Sequence, residues 1–154
     1  ACAFAECFEW FCSNRSELKS RWLGLKKKLL DSLEGVEHCF LLGTSDESLP
    51  NTLNLGFQGI SAESLLICLD LDGIAVSSGS ACSSGAMEAS HVLLAMGYSH
   101  EQAKSSLRIS MGWNTSEEDI EELSRQLIHH VKRLTPISGK SDSNIQIPEP
   151  VTEI

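Results

Sequence analysis

Basic residues are scarce in this chain: 12 lysines and arginines face 21 aspartates and glutamates, a formal net charge of −9 over 154 residues. The deficit argues against nucleic acid or an anionic membrane as main partner, since both require a basic face that neutralises phosphate. A small molecule or a basic partner fits better. Long apolar runs are also missing. No stretch has the roughly 18 consecutive apolar residues of a membrane span, and the opening ACAFAECFEWF lacks the positive n-region of a signal peptide. The reading is a soluble, unexported, cytoplasmic chain. It does not open on Met and opens inside a helical pattern, so a fragment or processed piece of something longer is expected. An organellar location stays open if a targeting segment has been lost. No C-x-x-C pair occurs among the six cysteines, which argues against structural zinc, and no internal repeat is visible. The length and the apolar fraction of 42% suit one domain with a single core.

Five of the six cysteines read as small buried or half-buried thiols in a reducing compartment. Cys39 and Cys68 sit in apolar runs, while Cys2, Cys7 and Cys12, spaced by five, scatter around a helix. Cys82 differs. Its surroundings, VSSGSACSSGAME from Val76 to Glu88, offer serine and glycine and almost nothing to bury, which predicts a mobile surface loop carrying a thiol.

The spacing of Phe4, Cys7, Phe8 and Phe11, continued by Leu18, Trp22, Leu25, Leu29 and Leu33, predicts one long amphipathic helix or two with a break near Ser13-Asn14, stopped at Gly35. Lys26, Lys27 and Lys28 fall largely off this stripe and are expected to face solvent. Val36 to Leu42 reads as a strand. Thr52 to Gln58 reads as a half-buried strand, with Leu53, Leu55 and Phe57 on one face and Thr52, Asn54 and Gly56 on the other. A helix capped by Ser61 ends at Asp72-Gly73, and Ile74 to Val76 forms a brief strand entering the loop. Val92 to Met96 and Ser99 to Ser105 are helical. Ser106 to Met111 alternates as a strand with Arg108 on its polar face. Ser116 and Asp119 form a capping box for a last helix reaching Leu134, on which His129 and His130 point about 100° apart and read as surface or edge residues. Beyond residue 134 a disordered tail, 135–154, is expected. The order of elements predicts an α/β (α+β) fold, a small mostly antiparallel sheet covered on one side by helices.

A cysteine acts as a nucleophile only as thiolate, and a free pKa of about 8.5 leaves little thiolate at neutral pH. The loop holds no base or cation, so activation must come from elsewhere. Arg108 is the charged group on the strand that follows; its planar fork suits bidentate capture of a carboxylate. A carboxylate held at Arg108 with Cys82 swinging towards it is a coherent site. The plainer alternative keeps Cys82 as an incidental thiol and pairs Arg108 with one of the many acids.

Three stretches carry a resemblance: PNTLNLGF (Pro50 to Phe57), AESLLICLDLDGIAVSSGSACSSGAMEASHVLLAMG (Ala62 to Gly97) and SSLRISMGWNTSEEDI (Ser105 to Ile120). Together they resemble the C-terminal part of group I cysteine desulfurases, which are fold-type I pyridoxal-phosphate enzymes of the class V aminotransferase superfamily. The resemblance implies cleavage of L-cysteine to L-alanine with sulfur held as a persulfide on Cys82, and Arg108 as anchor of the substrate α-carboxylate. It implies a homodimer of the full enzyme, and delivery of sulfur to an acceptor such as an iron–sulfur scaffold protein. Residues 1–134 then correspond to the small domain with a long leading helix.

The family's cofactor-binding features have no match here: a Ser-x-His-Lys-type segment, a histidine over the pyridine ring and an Asp at its nitrogen. The resemblance therefore implies that pyridoxal phosphate belongs to an absent large domain or partner chain, and that this chain forms no Schiff base unaided. Two classes remain: the small domain of a desulfurase, inactive alone, or a stand-alone sulfur-acceptor or interaction module. An inactive remnant is a third, blander possibility.

Overall fold

The computed structural model describes residues 2–43, 48–78 and 89–135. Helix α1 (Cys2–Leu33) runs unbroken. Of the two alternatives the single helix forms: near Ser13-Asn14 the Asn14 amide folds back and donates to Trp10 O at 2.7 Å, engaging the helix instead of ending it. Termination falls where predicted: Gly35 takes φ 76°, a left-handed conformation that glycine adopts without steric cost.

Strands β1 (Cys39–Leu42), β2 (Thr52–Phe57), β3 (Ser77–Ser78) and β4 (Ser106–Ser110) form one antiparallel sheet in the order β1-β2-β4-β3. The brief strand expected at Ile74 to Val76 sits later in the chain, at Ser77–Ser78. There the chain comes alongside Arg108 and Leu107 of β4, whereas residues 74–76 form no strand pairing. Helices α2 (Ala62–Leu71), α3 (His91–Ala95), α4 (His100–Lys104) and α5 (Glu117–Leu134) complete the described fold.

One face of the sheet buries the core. Leu53, Leu55 and Phe57 of β2 and Leu107 and Ile109 of β4 meet the apolar stripes of α1, α2 and α5. Each strand alternates, so the facing helices cover every second residue. Helix α5 carries the predicted capping box, with Asp119 N donating to Ser116 Oγ and Ser116 N donating to Asp119 Oδ2. Helix α1 is fastened to the turn after β4: Trp22 Nε1 donates to Gly112 O at 2.9 Å, and Arg21 reaches Trp113 O and Thr115 O.

The expectation of helices on a single side needs correction. Leu42, Leu93, Tyr98 and Ala103, with Phe40 and Ala89, form a second cluster on the opposite face, so α3 and α4 cover part of that side. Phe40 and Leu42 point there because Cys39 and Leu41 point to the main core.

Two further expectations fail for the same reason, a partner distant in sequence. Lys26 is 3% exposed, its ammonium donating to Ser48 Oγ, Leu49 O and Thr52 O, so the segment before β2 wraps over it. His130 is buried as well, with Nε2 2.6 Å from Asp72 Oδ2 at the end of α2. His129 is exposed, as expected. Cys2, Cys7 and Cys12 are exposed, against the reading of buried thiols, because residues 2–13 of α1 bury no side chain within the described fold. Apart from Thr135, the tail assigned to 135–154 lies outside the described residues.

Candidate functional site

Arg108 lies in the middle of β4, directly between Asn54 of β2 and Ser77 of β3, and Asn54 in turn faces Leu42 of β1. Residues opposite one another in an antiparallel pair project to the same face. Leu42, Asn54, Arg108 and Ser77 therefore make one rung across the sheet, on the side away from the main core. Arg108 is exposed, Asn54 and Ser77 are half-buried.

No hydrogen bond or ion pair engages the Arg108 guanidinium among the described residues. That observation bears against the plainer alternative, in which one of the many acids neutralises it. The acids that pair do so elsewhere: Glu117 and Glu121 with Lys28, Glu122 with Arg125, Asp72 with His130.

The cysteine segment is anchored at both ends to this same face. Ser77, at its root, stands beside Arg108, and Ala89, where description resumes, packs into the cluster of Leu42, Leu93 and Tyr98. Tyr98 Oη accepts from Gly43 N at 2.8 Å, holding the returning segment against the end of β1. Cys82 and the loop expected around it lie outside the described residues. Next to the rung opens a groove of about 370 Å³ lined by Leu42, Gly43, Ser48, Leu49, Asn54 and Met96.

Other thiols have different surroundings. Burial pushes Cys39 up to about 11, which keeps it a neutral thiol facing the main core. Cys68 is half-buried and accepts a hydrogen bond from Arg133 at 3.0 Å. Among the described residues, no group of three or more His, Cys, Asp or Glu side chains is placed to hold a metal ion. No described helix is long and apolar enough to cross a membrane.

The described residues do not fit pyridoxal phosphate. The buried lysine, Lys26, has its ammonium committed to three oxygens, and Lys28 is held between Glu117 and Glu121, which keep its ammonium charged by raising its pKa. Neither stands on the rung. Alternation on β2 had placed Asn54 on the polar face without a role; cross-strand register, which a single strand pattern does not contain, is what sets it beside Arg108.

A family model described as aminotransferase class-V matches residues 1–123. A cysteine desulfurase of Azotobacter chroococcum is 39% identical over 129 residues, covering 80% of this chain and 33% of that protein. The cysteine desulfurase IscS 1 of Archaeoglobus fulgidus is 34% identical over 135 residues, covering 88% of this chain and 35% of its own length. The chain thus spans about a third of the curated relatives it matches. Among solved structures, a NifS-like protein superposes with a TM-score of 0.74 at 27% identity, covering 84% of this chain and 32% of that one. The NifS-like protein of Rickettsia africae gives 0.67 at 30% identity, covering 79% and 31%. A sugar aminotransferase of Streptococcus pneumoniae, 12% identical with a TM-score of 0.59 over 80% of this chain and 33% of its own, shares the fold.

Proposed function

Since the chain belongs to the aminotransferase class-V family, we propose that it is the small-domain portion of a cysteine desulfurase, residues 1–134, with Cys82 as the persulfide-forming nucleophile and Arg108 as the anchor of the substrate carboxylate. The observation that carries the proposal is the rung: an arginine with no partner among the described residues stands between Asn54 and Ser77, and Cys82 follows Ser78 by four residues. A guanidinium with no partner among the described residues, on a chain of net charge −9, is suited to an anionic group brought from outside.

In the proposed reaction the Cys82 thiolate attacks the sulfur of bound L-cysteine. A sulfur–sulfur bond forms as the carbon–sulfur bond breaks. The electron pair of the broken bond stays with the carbon that becomes the methyl group of alanine, and a proton completes it. The chemistry that makes this carbon an acceptor of electrons belongs to pyridoxal phosphate, which the described residues do not fit. A large cofactor-binding domain, on the same polypeptide or on a partner, supplies it in this reading. Phe4, Phe8, Trp10 and Phe11, exposed along the first half of α1, are the surface offered to that domain. The outer sulfur then passes to a thiol of an acceptor protein, of which an iron–sulfur scaffold is the class implied. The complete enzyme works as a homodimer in this account.

The test is reconstitution. The chain mixed with a large-domain partner and cofactor should release sulfide from L-cysteine in the presence of a reductant, and Cys82→Ala should abolish the release. A Cys82→Ala variant as active as the parent removes the nucleophile assignment. If the chain restores nothing yet gains sulfur on Cys82 from a complete desulfurase, it is an acceptor module instead.

A further inference from the structure

We infer that Asn54 is a second substrate-binding residue, whose side-chain amide donates to the same carboxylate that Arg108 anchors; this rests on the desulfurase reading above. The backbone sets the geometry. Phe57 N donates to Ser105 O at 2.9 Å and Met111 N to Asn51 O at 2.8 Å, which marks 57/105 and 51/111 as hydrogen-bonded pairs of the β2–β4 ladder. Bonded and non-bonded pairs alternate along an antiparallel ladder, so Asn54 and Arg108 form a non-bonded pair. In such pairs the Cα atoms approach to about 4.5 Å and the side chains stand closer than at bonded positions.

Both side chains are open. Neither the Asn54 amide nor the Arg108 guanidinium makes a hydrogen bond among the described residues, and none joins them to each other. An ionised carboxylate only accepts, and has about four lone-pair sites; a guanidinium fork takes two, which leaves room for further donors. The Asn54 amide provides two N–H donors next to the fork, without adding charge. Two of its neighbours, Leu42 on the rung and Met96 in the groove, are apolar and cannot do this. Asn54 is half-buried, so water satisfies its amide less fully than at an open surface.

Two substitutions separate binding from structure. Asn54→Leu keeps the size and removes both donors; Asn54→Asp keeps the shape and sets an anion beside Arg108. In the chain reconstituted with its cofactor-binding partner, Asn54→Leu should raise KM for L-cysteine by about tenfold or more, the value of a hydrogen bond to a charged group, with kcat within about threefold. Asn54→Asp should raise it further. A KM within about twofold of the parent for Asn54→Leu, where Arg108→Ala raises KM strongly, overturns the role of Asn54 and leaves the anchor standing. If Arg108→Ala also leaves KM unchanged, the anchor reading falls and Asn54 with it. A second readout uses the chain alone. Titration with L-alanine should shift the side-chain N–H resonances of Asn54 and Arg108 together, ethylamine should shift neither, and Asn54→Leu should weaken the Arg108 response. A shift of Arg108 with Asn54 unmoved, or an equal response to ethylamine, overturns the inference.

Discussion

The face that carries Arg108 depends on a close approach that one methyl group can test. A Cβ added at Gly56 would run into Phe40 Cζ and stand 2.5 Å from Phe40 Cε2, about an ångström inside ordinary carbon contact at ~3.5 Å. The ring of Phe40 therefore lies on the bare backbone of β2 and must move if Gly56 becomes alanine. Displacing a packed side chain costs on the order of 1–3 kcal/mol. Against that, alanine in a strand interior is favoured over glycine by about 0.5–1 kcal/mol, because glycine loses more backbone freedom on folding. Gly56→Ala should thus destabilise the parent by about 1–2 kcal/mol. In a Phe40→Ala background the overlap is gone and the same change should be neutral or stabilising by up to about 1 kcal/mol, a coupling of about 2 kcal/mol. The assay is urea unfolding of the four members of the cycle, read from midpoints at constant m. If Gly56→Ala costs the same in both backgrounds to within about 0.5 kcal/mol, the ring does not rest on this glycine and the account of the face is wrong.

Cys39 gives a pH dependence. Its thiol titrates at about 11 in the folded chain against 9.0 unperturbed, so the unfolded chain ionises first. The contribution is fully present below the unfolded pKa and is lost as pH rises through the folded one. The loss amounts to about 2–3 kcal/mol over these two units, and Cys39→Ala should flatten this alkaline decline in unfolding measurements. Arg108→Ala should leave stability within about 0.5 kcal/mol of the parent, since the guanidinium is exposed and has no partner among the described residues; a large loss would mean it has a structural role. Asp72→Ala should cost about 1–3 kcal/mol, because it removes the acceptor of His130 Nε2 on a ring whose Nδ1 is already buried without a partner. Thermal unfolding of that variant within error of the parent would count against the pair.

The elements legible in the sequence were those whose signal is local. Period-two alternation at Leu53, Leu55 and Phe57 and at Leu107 and Ile109 fixed both central strands, and Ser116 with Asp119 fixed the start of α5. Lys26 and His130 were misread because their surroundings are assembled from residues far along the chain: Lys26 from the strap at Ser48 to Thr52, His130 from Asp72. A helical wheel shows only the helix's own side. It cannot show a strap or a second helix laid across the polar edge of a stripe. The same limit applied to α1, whose apolar stripe is continuous although residues 2–13 stay exposed, with Trp10 meeting Trp113 edge-on. Alternation and resemblance pointed to Arg108, whereas Asn54 emerged only from register.

Why this cation has no partner among the described residues of so acidic a chain follows from the layering. The ion pairs of the described fold join Lys28 to Glu117 and Glu121 and Arg125 to Glu122, and a hydrogen bond joins His130 to Asp72, all within α1, α5 and the end of α2. Those elements pack on one face of the sheet, and Arg108 projects from the other. Its strand neighbours on that side are Asn54 and Ser77, and the cluster behind them is built from Leu42, Phe40, Leu93 and Tyr98, none of which carries a negative charge. The alternation that buries Leu107 and Ile109 against the helices is therefore also what turns Arg108 away from their carboxylates. Among the described residues, no carboxylate of the chain neutralises the guanidinium on this face.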